Sequence, residues 1–354
     1  LNLIKIYLTL ALLLISVGLA QAASVGEYTP GQADIRDYFV PESGLYFYLD
    51  NSYYPSSTLK DNNGNNVTSV TIFPKNGPPV TVLLNGHANS YSLTPTFIGV
   101  IRQHVLGASY GAFISPTFAN SSIGAVTNTP TRRGGGVDTS QFNVGDLYVQ
   151  PLWLDWSFDH WDIAFAYGFY APTGKYNINT VTFPNVGVQV RAPAVDNIGL
   201  GFWTQQFQVA GAWYPWDSQS TAVTLAVTGE FHSRTRGFDL TTGADLTLEW
   251  GISQYISLGK SGNYQLEVGP SGYSQWQITD DTGSDATNGN LHARVYGAGA
   301  QLGFNYDPWG LSVTARYLHD FGARNRVQGQ LFDLSMGFKF WSGGKPPSET
   351  QPTH

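Results

Sequence analysis

The sequence contains no cysteine, which excludes a disulfide framework and a thiolate metal site. Charge is scarce: 12% of the 354 residues are Asp, Glu, Lys or Arg, and the formal net charge is −7. Lys and Arg total 18 against 25 acids, which disfavours a nucleic-acid partner, since that needs a basic face. Beyond residue 22 no apolar run reaches the length of a transmembrane helix. Motifs of common chemistry are also missing. There is no nucleotide loop, HExxH or GxSxG, and the seven histidines never fall at metal-ligand spacing. Gly134-Gly135-Gly136 reads as a flexible loop, because no Lys-Ser/Thr follows it. Asp280, Asp281 and Asp285 read as a solvated acidic loop rather than a cation site. No cofactor is implied.

Aromatic residues, by contrast, are plentiful: 20 Tyr, 20 Phe and 10 Trp, at a mean hydropathy of −0.15. Few charges, many aromatics and middling hydropathy fit a membrane β-barrel, whose strands are apolar at every second position only. A secreted all-β protein shares this composition. Residues 1–22 read as a secretory signal, with Lys5 as the basic region, an apolar stretch from Ile6 to Leu19 and an Ala20-Gln21-Ala22 cleavage site. Cleavage there removes Lys5 and no acid, leaving 17 bases against 25 acids, a net −8. Residues 23–43 show no period and read as a lead-in, either periplasmic or tucked into a lumen.

Alternation separates the two classes. In the hairpin from Asp146 to Tyr176, Trp161, Ile163, Phe165, Tyr167 and Phe169 take the odd positions. Asp162, Ala164, Ala166, Gly168 and Tyr170 take the even ones. Small residues are an odd choice for a solvated face and suit the inside of a barrel whose outside meets lipid. The pattern recurs in segments near 45–54, 92–102, 106–118, 199–214, 223–230, 245–250, 265–268, 296–306, 311–317 and 331–340. Pro270 and Gly272 predict a register change in one of them. Val67 to Phe73 and Val80 to Leu84 predict a small hairpin, with breakers at Lys60 to Asn66 and at Asn76-Gly77-Pro78-Pro79.

The sequence thus predicts an all-β, antiparallel transmembrane barrel of about 12 strands over 44–341, with a polar tail at 342–354. Its links alternate. The long ones are Tyr54 to Ser90, Ala119 to Val144, Pro172 to Asn197, His232 to Ala244, Asp280 to Asn290 and Ala323 to Gln328. The short ones lie near Gln103, Asp159, Asp217, Ser261 and Pro308. Outer-membrane barrels alternate in this way, with long extracellular loops and short periplasmic turns.

Inward positions carry the candidate lumen residues: Tyr170, Gln206, Gln208, Glu230, Glu249, Glu267, Tyr273, Gln275, Arg316, Asp333 and Lys339. Ionisable groups at membrane depth must face water or a partner, so these residues line a passage or cross-link a closed lumen. Arg316 and Asp333 are expected to pair across the last hairpin. His319 continues an outward series and is the one candidate base for a membrane-embedded hydrolase. Strand pairing places it near Ala298 and Gln330 to Phe332, where no serine stands.

Several segments resemble the outer-membrane family associated with the MetA pathway of phenol degradation. They are Gly145-Asp146-Leu147 through Pro151-Leu152-Trp153, Ala171-Pro172-Thr173-Gly174-Lys175-Tyr176, and Val268-Gly269 with Gly272-Tyr273. Gln275 through Asp280-Asp281, Gln301-Leu302, Ala315-Arg316-Tyr317 and Asn325-Arg326-Val327-Gln328-Gly329 complete the pattern, from about Gly44 to Trp341. Tyr54 to Ser90 looks like an insertion in it. The resemblance implies a porin-like barrel in outer-membrane lipid that passes small hydrophobic or aromatic compounds. It supplies no catalytic residue. A receptor or structural barrel acting through its loops is the other reading.

Overall fold

The computed structural model describes residues 26–72, 80–129, 132–183, 188–194, 196–259, 262–286 and 289–343. The expected signal sequence, the Asn76-Gly77-Pro78-Pro79 breaker, Lys260-Ser261 and most of the tail lie outside the described residues.

The first strands are β1 (Gly44–Tyr54), β2 (Ser56–Leu59), β3 (Ser69–Ile72), β4 (Val80–Val100), β5 (Ser109–Ser115) and β6 (Phe118–Thr129). Next come β7 (Arg132–Val144), β8 (Leu147–Ser157), β9 (Trp161–Ala171), β10 (Ile178–Phe183), β11 (Val188–Pro193) and β12 (Thr204–Trp213). The last are β13 (Thr221–His232), β14 (Asp245–Leu258), β15 (Tyr264–Gln277), β16 (Arg294–Tyr306), β17 (Leu311–Arg324) and β18 (Val327–Ser342). Among the described residues, twelve strands form one antiparallel ring in the order β1–β4–β5–β8–β9–β12–β13–β14–β15–β16–β17–β18. The ring closes because β1 pairs with both β4 and β18, so no sheet edge faces lipid.

The outside of this ring is apolar. Val209, Leu225, Leu302 and Leu334 are exposed there, at positions that alternate with buried Ala210, Ala226, Gln301 and Asp333. A soluble protein rarely leaves so much contiguous apolar surface in water, whereas hydrocarbon accepts it. Aromatic pairs mark the two edges of the band. Trp161 and Trp213 lie 6.1 Å apart at the short-turn rim, and Phe169 and Trp203 lie 6.0 Å apart at the long-loop rim. Among the described residues no helix is long and apolar enough to cross a membrane, which says nothing of crossing by strands.

The structure corrects three expectations. Ala119 to Val144 is mostly paired: β6 and β7 form a hairpin that continues β5 and β8 beyond the rim, against the outer half of β4. Polar Asn, Ser and Thr obscured this, because a hairpin standing in water needs no apolar face. The link after β17 is short, only Asn325-Arg326, with Asn325 at φ 51°; Asn tolerates that left-handed conformation, so two residues suffice. Long links at this rim therefore have one exception. Finally, Pro270 does not shift the register, since β15 keeps one pairing with β14 and one with β16 along its length. The shift occurs instead at Pro151, between Val149 and Leu152 on β8. There the inward parity changes from Tyr148 and Gln150 to Trp153 and Asp155, all four buried. The small hairpin is present, as β3 pairs with Val80 to Leu83 of β4.

Candidate functional site

The lead-in runs inside the ring. From Ser43 at the short-turn rim, the chain climbs through the lumen to Gly26, close to Glu230 and Asp245 near the other rim. Its path explains the small residues of the inner face. Tyr38 packs on Ala164, Ala210 and Ala226, and Phe39 packs against Ala212, Tyr214 and Ala222. Ile35 occupies the space that a side chain at Gly251 would need: a Cβ there would lie 2.5 Å from Ile35 Cγ1.

Charged residues of β14–β17 hold this plug. Glu249 accepts hydrogen bonds from the Gly31 amide at 2.6 Å, the Tyr38 hydroxyl at 2.9 Å and the Tyr28 hydroxyl. Arg316 donates to the Gly31 carbonyl and forms a buried ion pair with Asp34. Arg36 stacks over Tyr255 at 3.9 Å, donates to Ser253 Oγ at 2.7 Å and lies 3.7 Å from Glu267. Above these, on β13, Glu230 accepts the Tyr28 amide at 3.0 Å. Arg36 also reaches the carbonyls of Gln219 and Ser220, each at 3.1 Å, which pins the plug to a short turn.

Arg316 and Asp333 do stand opposite each other in the β17–β18 ladder. The expected salt bridge is nevertheless not the one formed. Arg316 turns to Asp34 of the plug, and Asp333 instead accepts the Ser52 hydroxyl at 2.6 Å. Strand pairing alone could not reveal a third carboxylate brought in by the lead-in.

Most plug contacts fall on β13–β18. Beside the plug the lumen stays hollow in two places, bounded chiefly by β1, β4, β5, β8 and β9 and completed by residues of β14–β18 such as Glu267, Thr314 and Tyr273. A cavity of about 560 Å³ opens at the short-turn end and one of about 340 Å³ at the long-loop end. Both are lined by Tyr28, Gln32, Thr94, Tyr148 and Tyr170, so these five residues form the neck where they meet. The rings of Tyr148 and Tyr170 lie 4.5 Å apart, and Gln206 Nε2 donates to the Tyr148 hydroxyl at 2.9 Å. Tyr148 lies over Gly168, where any side chain would strike its hydroxyl. Gln32 bridges from the plug to Ser52 at 3.0 Å and Asp50 at 3.3 Å.

The sequence candidates therefore divide. Tyr170, Gln206, Gln208 and Glu267 line the first cavity, and Tyr170, Tyr273 and Gln275 line the second. Glu230, Glu249 and Arg316 hold the plug, and Asp333 is buried beside Ser52. Lys339 sits at the rim, 2.8 Å from Glu42. Tyr148, Gln150 and Trp153 escaped the sequence reading because the Pro151 bulge breaks their alternation. Every plug residue escaped it because the lead-in has no period.

Outside the lumen, the other candidates take structural roles. His319 is exposed on the outer face, opposite Ala298 and Gln330. Asp280 bonds His292 at 2.7 Å, and Asp281 accepts the Gly243 amide at 2.8 Å, so both tie loops together. Among the described residues no group of three His, Cys, Asp or Glu is arranged to hold a metal ion.

Residues 56–336 match the model of the family described as "Putative MetA-pathway of phenol degradation". Among solved structures, an outer membrane channel from Pseudomonas putida F1 is similar in fold, with 14% identity and a TM-score of 0.60 over 87% of this chain and 100% of that one. The β domain of the Bordetella autotransporter BrkA has 12% identity and a TM-score of 0.47 over 84% and 100% of the two chains. A Pseudomonas aeruginosa FadL homologue has 11% identity and a TM-score of 0.41 over 92% and 97%. No curated protein is significantly similar in sequence.

Proposed function

The chain belongs to the phenol-degradation family whose model it matches, and from that premise we propose that it is a passive outer-membrane channel for small hydrophobic or aromatic compounds. The observation that carries this reading is the pair of cavities that share a neck beside the plug. Tyr faces supply apolar contact there, and Gln32, Gln206 and Thr94 supply a few hydrogen-bonding groups. Such a lining suits a flat, weakly polar solute. The similar protein of Pseudomonas putida F1 is an outer membrane channel, which agrees with this reading. In this orientation the short turns and both ends of the barrel chain face the periplasm, and the β6–β7 and β10–β11 hairpins face outward. Residues 1–22 serve as the cleaved export signal.

The hydrolase reading is weak, because the strand partners of His319 are Ala298 and Gln330, neither of which is a nucleophile. The seated plug favours the remaining alternative, a closed barrel acting through its loops. One experiment separates channel from closed barrel. Purified protein is placed in liposomes and planar bilayers, and phenol entry and conductance are measured. The channel reading predicts entry above that of empty liposomes. Equal entry and no conductance would leave the closed barrel.

A further inference from the structure

We propose that the outer loops above the β9–β13 wall form a docking site for the phosphate of a lipid headgroup in the outer leaflet. The site is built by three arginines of two loops. Arg191 lies on β11, two residues before its end, and Arg234 and Arg236 follow β13. They line one open cavity of about 660 Å³, together with Phe238, Asp239 and Asp285. In a chain with 18 basic residues and a net charge of −7, three guanidinium groups at one place are a pronounced local excess.

Each guanidinium is oriented by neutral contacts. Arg236 donates to the Tyr176 carbonyl at 3.0 Å and lies 5.0 Å from its ring. Arg191 lies 5.7 Å from the Phe238 ring, and Arg234 donates to the Phe238 carbonyl at 2.9 Å. Among the described residues, Arg234 alone of the three has an ion pair, with Asp239 at 3.3 Å. Amide and hydroxyl bonds from Ser284, and Arg234 itself, hold the Asp239 carboxyl below its ordinary pKa, so it stays anionic. Two carboxylates, Asp239 and Asp285, against three guanidinium groups leave the site with a net positive charge. Planar guanidinium groups match the oxygens of a phosphate. Gly237 keeps the loops together: at φ +83°, it packs where a side chain would strike Ile178 of β10.

Position decides the source of the phosphate. Ser233 bonds Trp203 twice, through its amide at 2.8 Å and its hydroxyl at 2.9 Å. Trp203 and Phe231 belong to the exposed aromatic edge of the apolar band. Arg234 is the next residue, so the site stands one step above the hydrocarbon, where headgroups lie. An anionic solute on its way inward fits less well, because Glu230, Asp245 and Asp146 are buried just below.

The test uses the full-length barrel in detergent, incubated with outer-leaflet glycolipid carrying its phosphates or with the same lipid after phosphatase treatment. Native mass spectrometry counts the lipid retained per barrel. Retention of the phosphorylated form should exceed that of the dephosphorylated form by on the order of 100-fold. The Arg191→Gln, Arg234→Gln, Arg236→Gln variant should lose that preference while still folding, as judged by comparing its gel mobility before and after heating with that of the native chain. Equal retention of both lipids by the native protein would overturn the proposal, whether or not the variant folds. Displacement of the lipid by equimolar inorganic phosphate would also overturn it, by showing a site for free oxyanions.

Discussion

The two halves of the lumen wall are built for different tasks. On β13–β18 the inner face carries Glu230, Asp245, Glu249, Glu267, Arg316, Asp320 and Asp333, all buried. On β1, β4, β5, β8 and β9 it carries mainly Tyr, Ser, Thr, Gln, Ala and Gly, with Asp50 inside and Asp146, Asp155 and Asp162 toward the rims. Buried charges must be matched, and the first half matches many of its own through the lead-in. The second half offers the plug fewer fixed partners and supplies the larger part of the wall of both cavities, which residues of β14–β18 complete. Charge thus decides where the plug is held, and the space that remains lies mostly on the side with fewer charged partners. On this account the plug is a filler of one side rather than a stopper of the whole bore.

The strongest way to break the contrast is to remove the charge that fixes the plug. Arg316→Met strands the buried Asp34 carboxylate, and breaking a buried pair costs about 3–5 kcal/mol. The lead-in should become sensitive to added protease in detergent while the barrel itself stays resistant. Glu249→Gln comes next. It weakens the bonds from Tyr28, Gly31 and Tyr38, and one charged hydrogen bond is worth roughly 1.5–3 kcal/mol. A lower protease threshold for the lead-in than in the native chain checks it. Gly251→Val overpacks Ile35, at a cost of about 1–3 kcal/mol, and the same assay should place it beside Glu249→Gln. On the other wall, Tyr170→Ala breaks a ring pair worth about 0.5–1.5 kcal/mol beyond its buried area and should have the smallest effect on the protease resistance of the lead-in. It should nevertheless speed phenol entry into liposomes by opening the neck. If Tyr170→Ala exposed the lead-in as much as Arg316→Met does, the two walls would not differ as described.

The ring was legible because lipid on one side and a filled lumen on the other impose a period of two on every crossing strand. Trp161 to Phe169 carries that signal plainly, and β14 to β18 repeat it. Legibility failed where one of those constraints was absent. The β6–β7 hairpin stands beyond the apolar band, so Asn120, Ser121 and Ser122 look like loop. At Pro151 the bulge reverses parity, which hid Tyr148 and Trp153, both buried. Glu249 and Arg316 were legible as inward charges, but their partners were not. Those partners, Tyr28, Gly31, Asp34 and Tyr38, lie on a segment that follows the lumen without regular structure. Nothing in its own pattern reports the barrel around it.

The central claim, that solutes pass beside a seated plug, is tested most directly by fastening the plug. The chain has no cysteine, so Ile35→Cys with Gly251→Cys introduces a single possible disulfide between lead-in and β14, at positions already in contact. Phenol entry into liposomes is then measured with the variant oxidised and reduced. The account predicts equal entry in both states, above that of empty liposomes. Entry that falls to the empty-liposome rate on oxidation, and returns with reductant, would mean that the plug must move and would contradict it.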